Sequence, residues 1–339
     1  MNILVTGGAG YIGSHAVRRL LDGGHTVVVL DNLAVGHRQA VVNAGKHADH
    51  PADVPLLELD LRDTDAITDA LKQHQIEAVM NFAALAQVGE SVEQPLLYYA
   101  NNTAGVISLL TAMDHAGVTR LVHSSTCATY GEPAEMPITE TFPQSPINPY
   151  GWSKLFNERV FFDYAAANPN FAFAALRYFN VAGCQPDGSI GEDHTPESHI
   201  IPVLIQAALG TREKAYIFGT DYPTPDGTCV RDYIHVCDLV DAHAVVLDAL
   251  QPGDTRTYNL GTGRGFSVKE IVDAVKQATG VDFTVELADR RPGDPPQLYA
   301  NPDKIKHDLN WSATITDPGT MAQHAWAWFE AHPDGYGDS

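Results

Sequence analysis

The sequence predicts a doubly wound α/β fold, a Rossmann-like parallel sheet followed by a second, smaller mixed α/β domain. Three observations carry that expectation. The first half of the 339 residues alternates short apolar runs with amphipathic stretches. Those runs are apolar at consecutive positions, which marks strands covered on both faces and hence a parallel sheet sandwiched by helices. A glycine-rich turn, TGGAGYIG at 6–13, lies between the first such run and the first helical pattern.

In chain order, NILVT (2–6), TVVVLD (26–31), LLELDL (56–61), AVMNFA (78–83), LVHSST (121–126) and FAFAALRYF (171–179) read as strands. Helical periodicity covers 64–75, 94–116 and 150–166 between them. Strands alternating with helices require crossover connections, so the sheet is parallel. After about residue 181 the rhythm changes. Two polar loops rich in Gly, Pro and Asp, GCQPDGSIGED and GTDYPTPDGT, interrupt helical patterns at 198–209, 238–250, 267–279 and 319–331. Loops of that length in a compact domain tend to bind something. The expected organisation is a dinucleotide-binding domain over 1–180 and a substrate domain over 181–339, with some later segments packing back on the first.

The bulk properties exclude several functions. A net charge of −21 without any run of Lys or Arg argues against nucleic-acid and anionic-membrane partners. The four cysteines (Cys127, Cys184, Cys229, Cys237) lie far apart without CxxC or zinc-type His spacing, which fits reduced thiols and no metal centre. The first strand begins at Asn2, leaving no room for a signal peptide, and no apolar run reaches the length of a membrane span. A cytoplasmic protein is expected.

Gly7, Gly10 and Gly13 form the glycine fingerprint. Such a turn lets a pyrophosphate approach the backbone, and the amides of Tyr11 and Ile12 open a helix whose N-terminus attracts phosphate charge. Asp31, followed by Asn32, ends the second strand roughly 20 residues on, where a carboxylate accepts the adenosine ribose hydroxyls and repels a 2′-phosphate; that selects NAD over NADP. Asp60, with Leu61 beside it, ends the third strand as either an adenine contact or a strand-end cap. Phe82, Ala83 and Ala84 follow the fourth strand, where they pass beside the cofactor or simply pack.

The chemistry concentrates in two segments. HSSTCATYG puts Ser124, Ser125 and Thr126 at the cofactor end of the fifth strand, and NPYGWSK sets Tyr150 and Lys154 four residues apart on one helix face. A phenol titrates near 10 unperturbed, too high for a base at neutral pH. The Lys154 ammonium and the positive nicotinamide of NAD would favour the phenolate. Tyr150 could then take a proton from an alcohol as hydride leaves the same carbon, with Lys154 holding the nicotinamide ribose and Thr126 positioning the alcohol.

TGGAGYIGSH, VGESVEQPLLYYANN, YGWSK, LRYFNVAG, YPTPDGTCVRDYIHV, YNLGTG and RRPGD together resemble the UDP-glucose 4-epimerase family of extended short-chain dehydrogenase/reductases, from end to end of the chain. The resemblance implies a UDP-hexose substrate, tightly held NAD, and a homodimer formed through helices of the first domain. It implies that Tyr150 deprotonates the sugar 4-hydroxyl while C4 hydride passes to NAD, and that the 4-keto sugar turns over before hydride returns. It makes Arg231 and Arg291 diphosphate clamps, Asp294 a uridine-ribose contact and Asn180 a substrate contact. Asn101 matches a cofactor contact, with Asn102 beside it as the alternative, and Phe179 either faces the nicotinamide or packs in the core. His199 stands near an Asn-Asn pair of some relatives and could donate to substrate. Leu298 falls where pocket size decides whether N-acetylated sugars enter, and Leu is intermediate between excluding and admitting residues. Some relatives carry a Lys in the loop after strand four, where this chain has Ala86 and Gln87.

Three rivals share the fold. A sugar-nucleotide 4,6-dehydratase needs an acid and a base after the catalytic Thr, and Cys127 and Ala128 cannot serve. A 4-epimerase for UDP-pentose, UDP-uronate or UDP-N-acetylhexosamine is closer. A non-catalytic NAD sensor would be expected to lack Tyr150 or Lys154.

Overall fold

Seven parallel strands make the central sheet of the computed structural model, which describes residues 1–291 and 294–337. Six come from the first half: β1 (Asn2–Thr6), β2 (Thr26–Asp31), β3 (Leu56–Glu58), β4 (Ala78–Asn81), β5 (Arg120–Thr126) and β6 (Ala172–Tyr178). Successive residues of each strand point to opposite faces, and both faces are buried in all but the short edge strand β3. Ile3, Val5, Val27, Val29, Met80 and Leu176 join one core, and Leu4, Val28, Leu30, Val79, Leu121 and Phe173 join the other. The consecutive apolar runs have this double burial as their cause.

Helices α1 (Tyr11–Asp22) and α2 (Arg38–Lys46) cover the first face. On the second lie α3 (Thr64–Gln73), α6 (Gly105–Ala116) and α7 (Pro149–Ala167). The expected helix over 94–116 is broken. After α4 (Val88–Glu93), α5 (Pro95–Tyr98) starts at a proline, and the chain then passes through a π-helical turn at Tyr99–Ala104 before α6. Such single π turns gather at functional sites. The third strand also stops at Glu58 rather than running to 61, because Asp60 leaves the ladder to pair with Arg62 at 2.7 Å.

The second region contributes β7 (Asn180–Ala182), α8 (Ile200–Ala208), β8 (Ala215–Phe218), β9 (Val230–His235), α9 (Val236–Ala249), β10 (Thr255–Leu260), β11 (Gly265–Ser267), α10 (Val268–Thr279), β12 (Val285–Ala288), β13 (Gln297–Leu298), α11 (Asp303–Leu309) and α12 (Pro318–Ala331). Of these, β10 pairs with β6 as the seventh strand of the large sheet, and α9 packs on its first face beside α1. Helix α11 also packs there, with Ile305 in the first-face core, while β9 pairs with β7, β11 and β13, β8 pairs with β12, and α8, α10 and α12 share a core around Trp328. Buried Asp232 ties β9 to the neighbouring loops. One carboxylate oxygen accepts from the Thr262 amide and hydroxyl, the other from the Gly263 and Ala300 amides.

The strand order β10-β6-β5-β4-β1-β2-β3 reverses direction at β1. A crevice therefore opens at the C-terminal ends of β1 and β4, the place where open parallel sheets bind ligands.

Candidate active site

Gly7 sits at this switch point in a left-handed conformation (φ +71°), where a side chain would lie 2.6 Å from the Ala83 amide nitrogen. At Gly13 an added Cβ would lie 2.0 Å from the Gly7 carbonyl oxygen. Both positions admit only glycine, and the turn so formed delivers the start of α1 into the crevice. Gly10 caps α1 without any side chain, and no acidic residue occupies its first turn. The amides of Tyr11, Ile12 and Gly13 thus open onto the crevice without a side-chain cap, as a pyrophosphate requires. At the end of β2, buried Asp31 accepts from the Ala9 amide at 3.0 Å and the Leu33 amide at 2.9 Å, one bond per carboxylate oxygen. Each oxygen keeps a lone pair for a ribose hydroxyl. Burial raises the Asp31 carboxyl above its usual range, and the two amides oppose that shift. These features fit a dinucleotide.

The flanking expectations divide. Asn32 donates to Asp60 at 3.3 Å and Asp60 also holds Arg62, whose guanidinium keeps that carboxyl far below the ordinary range; Leu61 is buried beside it. Asp60 is thus partnered within the chain, two residues past the end of β3. Phe82 stacks near His243, 4.9 Å between ring centres, and Ala83 and Ala84 are half-buried below the Gly7 turn. Between Asn101 and Asn102 the structure distinguishes plainly. Asn102 is buried and its amide is consumed by the Leu85 backbone and the Ser153 hydroxyl. Asn101, half-buried in the π turn, donates only to Asn102.

Helix α7 begins where the sequence says it should. The Asn148 side chain accepts from the Gly151 amide at 2.8 Å, and Pro149 fills the first helical position. Gly151 lets this first turn approach the 127–130 segment, since a Cβ there would lie 2.6 Å from the Ala128 carbonyl oxygen. That approach brings Tyr150 to Thr126, the end of β5, whose hydroxyl is near enough to favour the phenolate. One turn on, Lys154 is 2 % exposed and donates to the Ser124 carbonyl at 2.8 Å. Tyr178 and Ser124 share a hydrogen bond behind it.

The electrostatics depart from expectation. Burial pushes the Tyr150 phenol up to about 12, with the Thr126 hydroxyl only partly opposing it. Burial lowers the Lys154 ammonium to about 7. The ammonium is aimed at a backbone carbonyl, so the chain alone holds Tyr150 protonated and Lys154 close to losing its charge. Cys127, next to Thr126, is half-buried, and desolvation pushes its thiol up to about 12, so it cannot act as an acid or base near neutrality.

On the other side of the crevice, Arg231 of β9 lies in register with Leu298 of β13 and pairs with Asp294 at 3.2 Å. The Arg291 guanidinium covers the Phe218 ring at 3.9 Å. The two residues between Arg291 and Asp294, part of the RRPGD motif, lie outside the described residues. Asn180 donates to the Asp232 carbonyl at 3.2 Å. Phe179 is buried with Tyr130, Ile138 and Ala300, and Leu298 packs against that cluster. His199 caps α8 and meets Glu192 at 2.7 Å, its ring half exposed. The two carboxylates beside it, Glu192 and Glu197, hold both His199 (pushed up to about 10) and His194 (up to about 9) in the protonated form.

Sequence reasoning missed this carboxylate–imidazole cluster, because no Cys was involved and the residues sit in one polar loop. It also missed Glu158, one turn beyond Lys154. That carboxylate binds Arg177 of β6 at 2.6 Å and accepts from Ser125 at 2.5 Å. The four-residue spacing of Tyr150, Lys154 and Glu158 was the available signal.

A family model described as GDP-mannose 4,6 dehydratase matches residues 4–322. A UDP-glucose 4-epimerase of Lacticaseibacillus casei is 47% identical over 339 residues, covering 100% of this chain and 99% of that one. The chain belongs to the UDP-glucose 4-epimerase family. Its resemblance to this family extends to a probable UDP-arabinose 4-epimerase of Oryza sativa subsp. japonica, 47% identical over 342 residues, or 100% of this chain and 84% of that one. Among solved structures, a UDP-glucose 4-epimerase from Stenotrophomonas maltophila with bound NAD and formylated UDP-arabinopyranose superposes with a TM-score of 0.94 at 40% identity, covering 98% of this chain and 99% of that chain. Among the described residues no helix is long and apolar enough to cross a membrane.

Proposed function

We propose that this protein interconverts UDP-galactose and UDP-glucose by inverting C4 of the hexose through a transient 4-keto sugar, with NAD as resident cofactor. The meeting of Thr126, Tyr150 and Lys154 at the mouth of a glycine-fingerprint crevice carries this reading. NAD, when bound, takes and returns the C4 hydride and sets a positive ring beside the phenol. The amides opening α1, with Gly7, Gly10, Tyr11, Ile12 and Gly13, hold the pyrophosphate, and Asp31 with Asn32 holds the adenosine ribose. Leu61, Phe82, Ala83, Ala84 and Phe179 wall the crevice, and Asp60 and Asn101 line its rim.

Tyr150 Oη takes the proton of the 4-hydroxyl and gives it back after the sugar has turned its other face. Thr126 Oγ1, close to the phenol, orients that hydroxyl. Lys154 Nζ, held by Ser124, supports the ribose of the nicotinamide half. Arg231 and Arg291 receive the diphosphate, Asp294 the uridine ribose, and Asn180 and His199 complete the anchoring. A firm grip on the nucleotide with few contacts to the hexose permits the turn. Cys127 and Ala128 following Thr126 leave no acid–base pair for elimination, which disfavours the dehydratase reaction despite the family model's description.

Two further features concern assembly and sugar range. Val88, Val92, Leu96, Ile107, Trp152 and Phe156 are exposed on α4–α7, with Leu96 81% accessible, and support a homodimer through these helices. The rice relative, at 47% identity, favours UDP-pentose as the second substrate class.

The test is conversion of UDP-galactose to UDP-glucose by purified protein without added NAD. Turnover that Tyr150→Phe abolishes supports the proposal. Turnover only with added NAD would place the weakness in the cofactor grip, where Ala86 and Gln87 replace a Lys of some relatives. Activity on neither UDP-galactose nor UDP-glucose under both conditions would refute it.

A further inference from the structure

The 192–199 loop holds Glu192, His194, Glu197 and His199 with one ligand-capable atom each, all within 4.8 Å of one another. We propose that this loop binds a divalent transition ion of the zinc class, a site separate from the hydride-transfer chemistry.

The donor set is two imidazole nitrogens and two carboxylate oxygens, a combination that suits zinc. Its dimensions fit. His194 Nδ1 lies 3.3 Å from Glu192 Oε1 and 3.6 Å from Glu197 Oε2, while His199 Nδ1 lies 3.4 Å from Glu197 Oε1. Tetrahedral bonds of about 2.0–2.2 Å put neighbouring ligand atoms roughly 3.3–3.6 Å apart. The His199–Glu192 separation, 2.7 Å, must open, and the wider pairs, all within 4.8 Å, must close onto the ion.

A second observation points to a ligand. Glu192 is 2% exposed, and its Oε1 is met only by ion-pair contacts, His199 Nδ1 at 2.7 Å and His194 Nδ1 at 3.3 Å, neither with hydrogen-bond geometry. A buried carboxylate oxygen without a well-aligned donor is under-satisfied, and a cation among the four groups would complete its coordination. Glu197 is already oriented, its Oε1 accepting from the Ser198 and His199 amides at 2.6 and 2.7 Å. Both imidazoles offer Nδ1 to the cluster, which leaves Nε2 of His199 for other contacts.

The place of the site in the fold gives it a role. The His194 ring packs edge-on against Tyr11, 6.3 Å between centres, and the Tyr11 hydroxyl donates to the Gly183 carbonyl at the start of the same loop. Asp193 accepts from the Tyr336 amide at 2.9 Å and its carbonyl meets His37 at 3.2 Å. An ion here would clasp the loop against the first turn of α1, where the pyrophosphate is expected, and so slow loss of the dinucleotide.

The experiment uses the full chain with its dinucleotide, stripped with a chelator and then titrated with Zn²⁺, and with Co²⁺ as a spectroscopic probe. One equivalent of zinc per chain, a tetrahedral Co²⁺ absorption band, and an X-ray absorption spectrum of the zinc-loaded protein with two imidazoles and two oxygens are expected. His194→Asn and Glu197→Gln should each weaken uptake at least tenfold. No uptake at equimolar metal, uptake unchanged in both variants, or a spectrum without two imidazoles would overturn the proposal. The wild-type spectrum decides the matter if either variant fails to fold. Chelator-treated protein should also release its dinucleotide several times faster than zinc-loaded protein.

Discussion

Removing one partner of the Glu158–Arg177 pair should destabilise the protein far more than removing both. The pair lies behind the Tyr150 helix, with side chains only 2 % and 4 % exposed. Arg177 makes two bonds to the carboxylate, at 3.0 and 2.6 Å, and a third to the Tyr130 hydroxyl at 2.8 Å. Ser125 and Gln144 fill further lone pairs of Glu158. Glu158→Ala strands a guanidinium in the core, at a cost of about 3–5 kcal/mol, and Arg177→Met strands the carboxylate at a similar cost. The double variant Glu158→Leu/Arg177→Met removes both charges and keeps the volume, so its cost should fall about 2–3 kcal/mol or more short of the sum. The assay is urea unfolding of the four proteins at one fixed dinucleotide concentration, because ligand binding shifts apparent stability. Additive costs, or single variants that lose less than about 1 kcal/mol, would show that the pair does not anchor α7. Since Tyr150 and Lys154 ride on the same helix face, the single variants should also lose kcat.

Three other outcomes follow from the site. Lys154 titrates near 7 in the folded chain and at its ordinary 10.5 when unfolded. Between those values the unfolded chain holds one more proton, so this group makes stability rise with pH by up to about 1.4 kcal/mol per unit. Unfolding of dinucleotide-free protein should therefore show the wild type gaining on Lys154→Met from pH 7.5 to 9, and a flat difference would disprove the burial shift. Asp31→Ala should weaken NAD by roughly tenfold to a hundredfold, the worth of a hydrogen bond to a charged acceptor, and narrow the preference over NADP when both are titrated. Leu298→Gly should raise kcat/KM for UDP-N-acetylglucosamine relative to UDP-galactose by about tenfold and Leu298→Tyr should lower it, with unchanged ratios refuting Leu298 as the size filter.

What was legible in the sequence was set by local physics. Strands β1, β2, β4, β5 and β6 are buried on both faces, so their composition alone identifies them. Gly7, Gly13 and Asp31 carry a spacing that one turn geometry imposes. Asn148 and Pro149 announce α7 through capping chemistry. What stayed hidden depends on partners distant in the chain. TRTYNL at β10 is polar at its exposed start and reveals itself only by pairing with β6. The π turn at 99–104 follows from the ties of Asn102 to Leu85 and Ser153, which no periodicity encodes.

The ionisation of the Tyr–Lys pair shows where sequence inference reverses sign. Spacing alone suggests an ammonium lowering a phenol. The folded chain instead buries both, and desolvation penalises the charged form of each, moving the phenol up to about 12 and the amine down to about 7. Neither is shifted by the other: the causes are burial for both and Thr126 and Cys127 for the phenol, and Lys154 donates to the Ser124 carbonyl. A phenol in this state does not deprotonate bystander alcohols near neutral pH. Under the proposed function it becomes a base only when positive charge arrives beside it, which would tie proton transfer at Tyr150 to occupation of the crevice beside Gly7, Gly13 and Asp31. The fingerprint and the Tyr–Lys pair are therefore one device, and a substitution at Asp31 that leaves the crevice empty should silence Tyr150 without touching it.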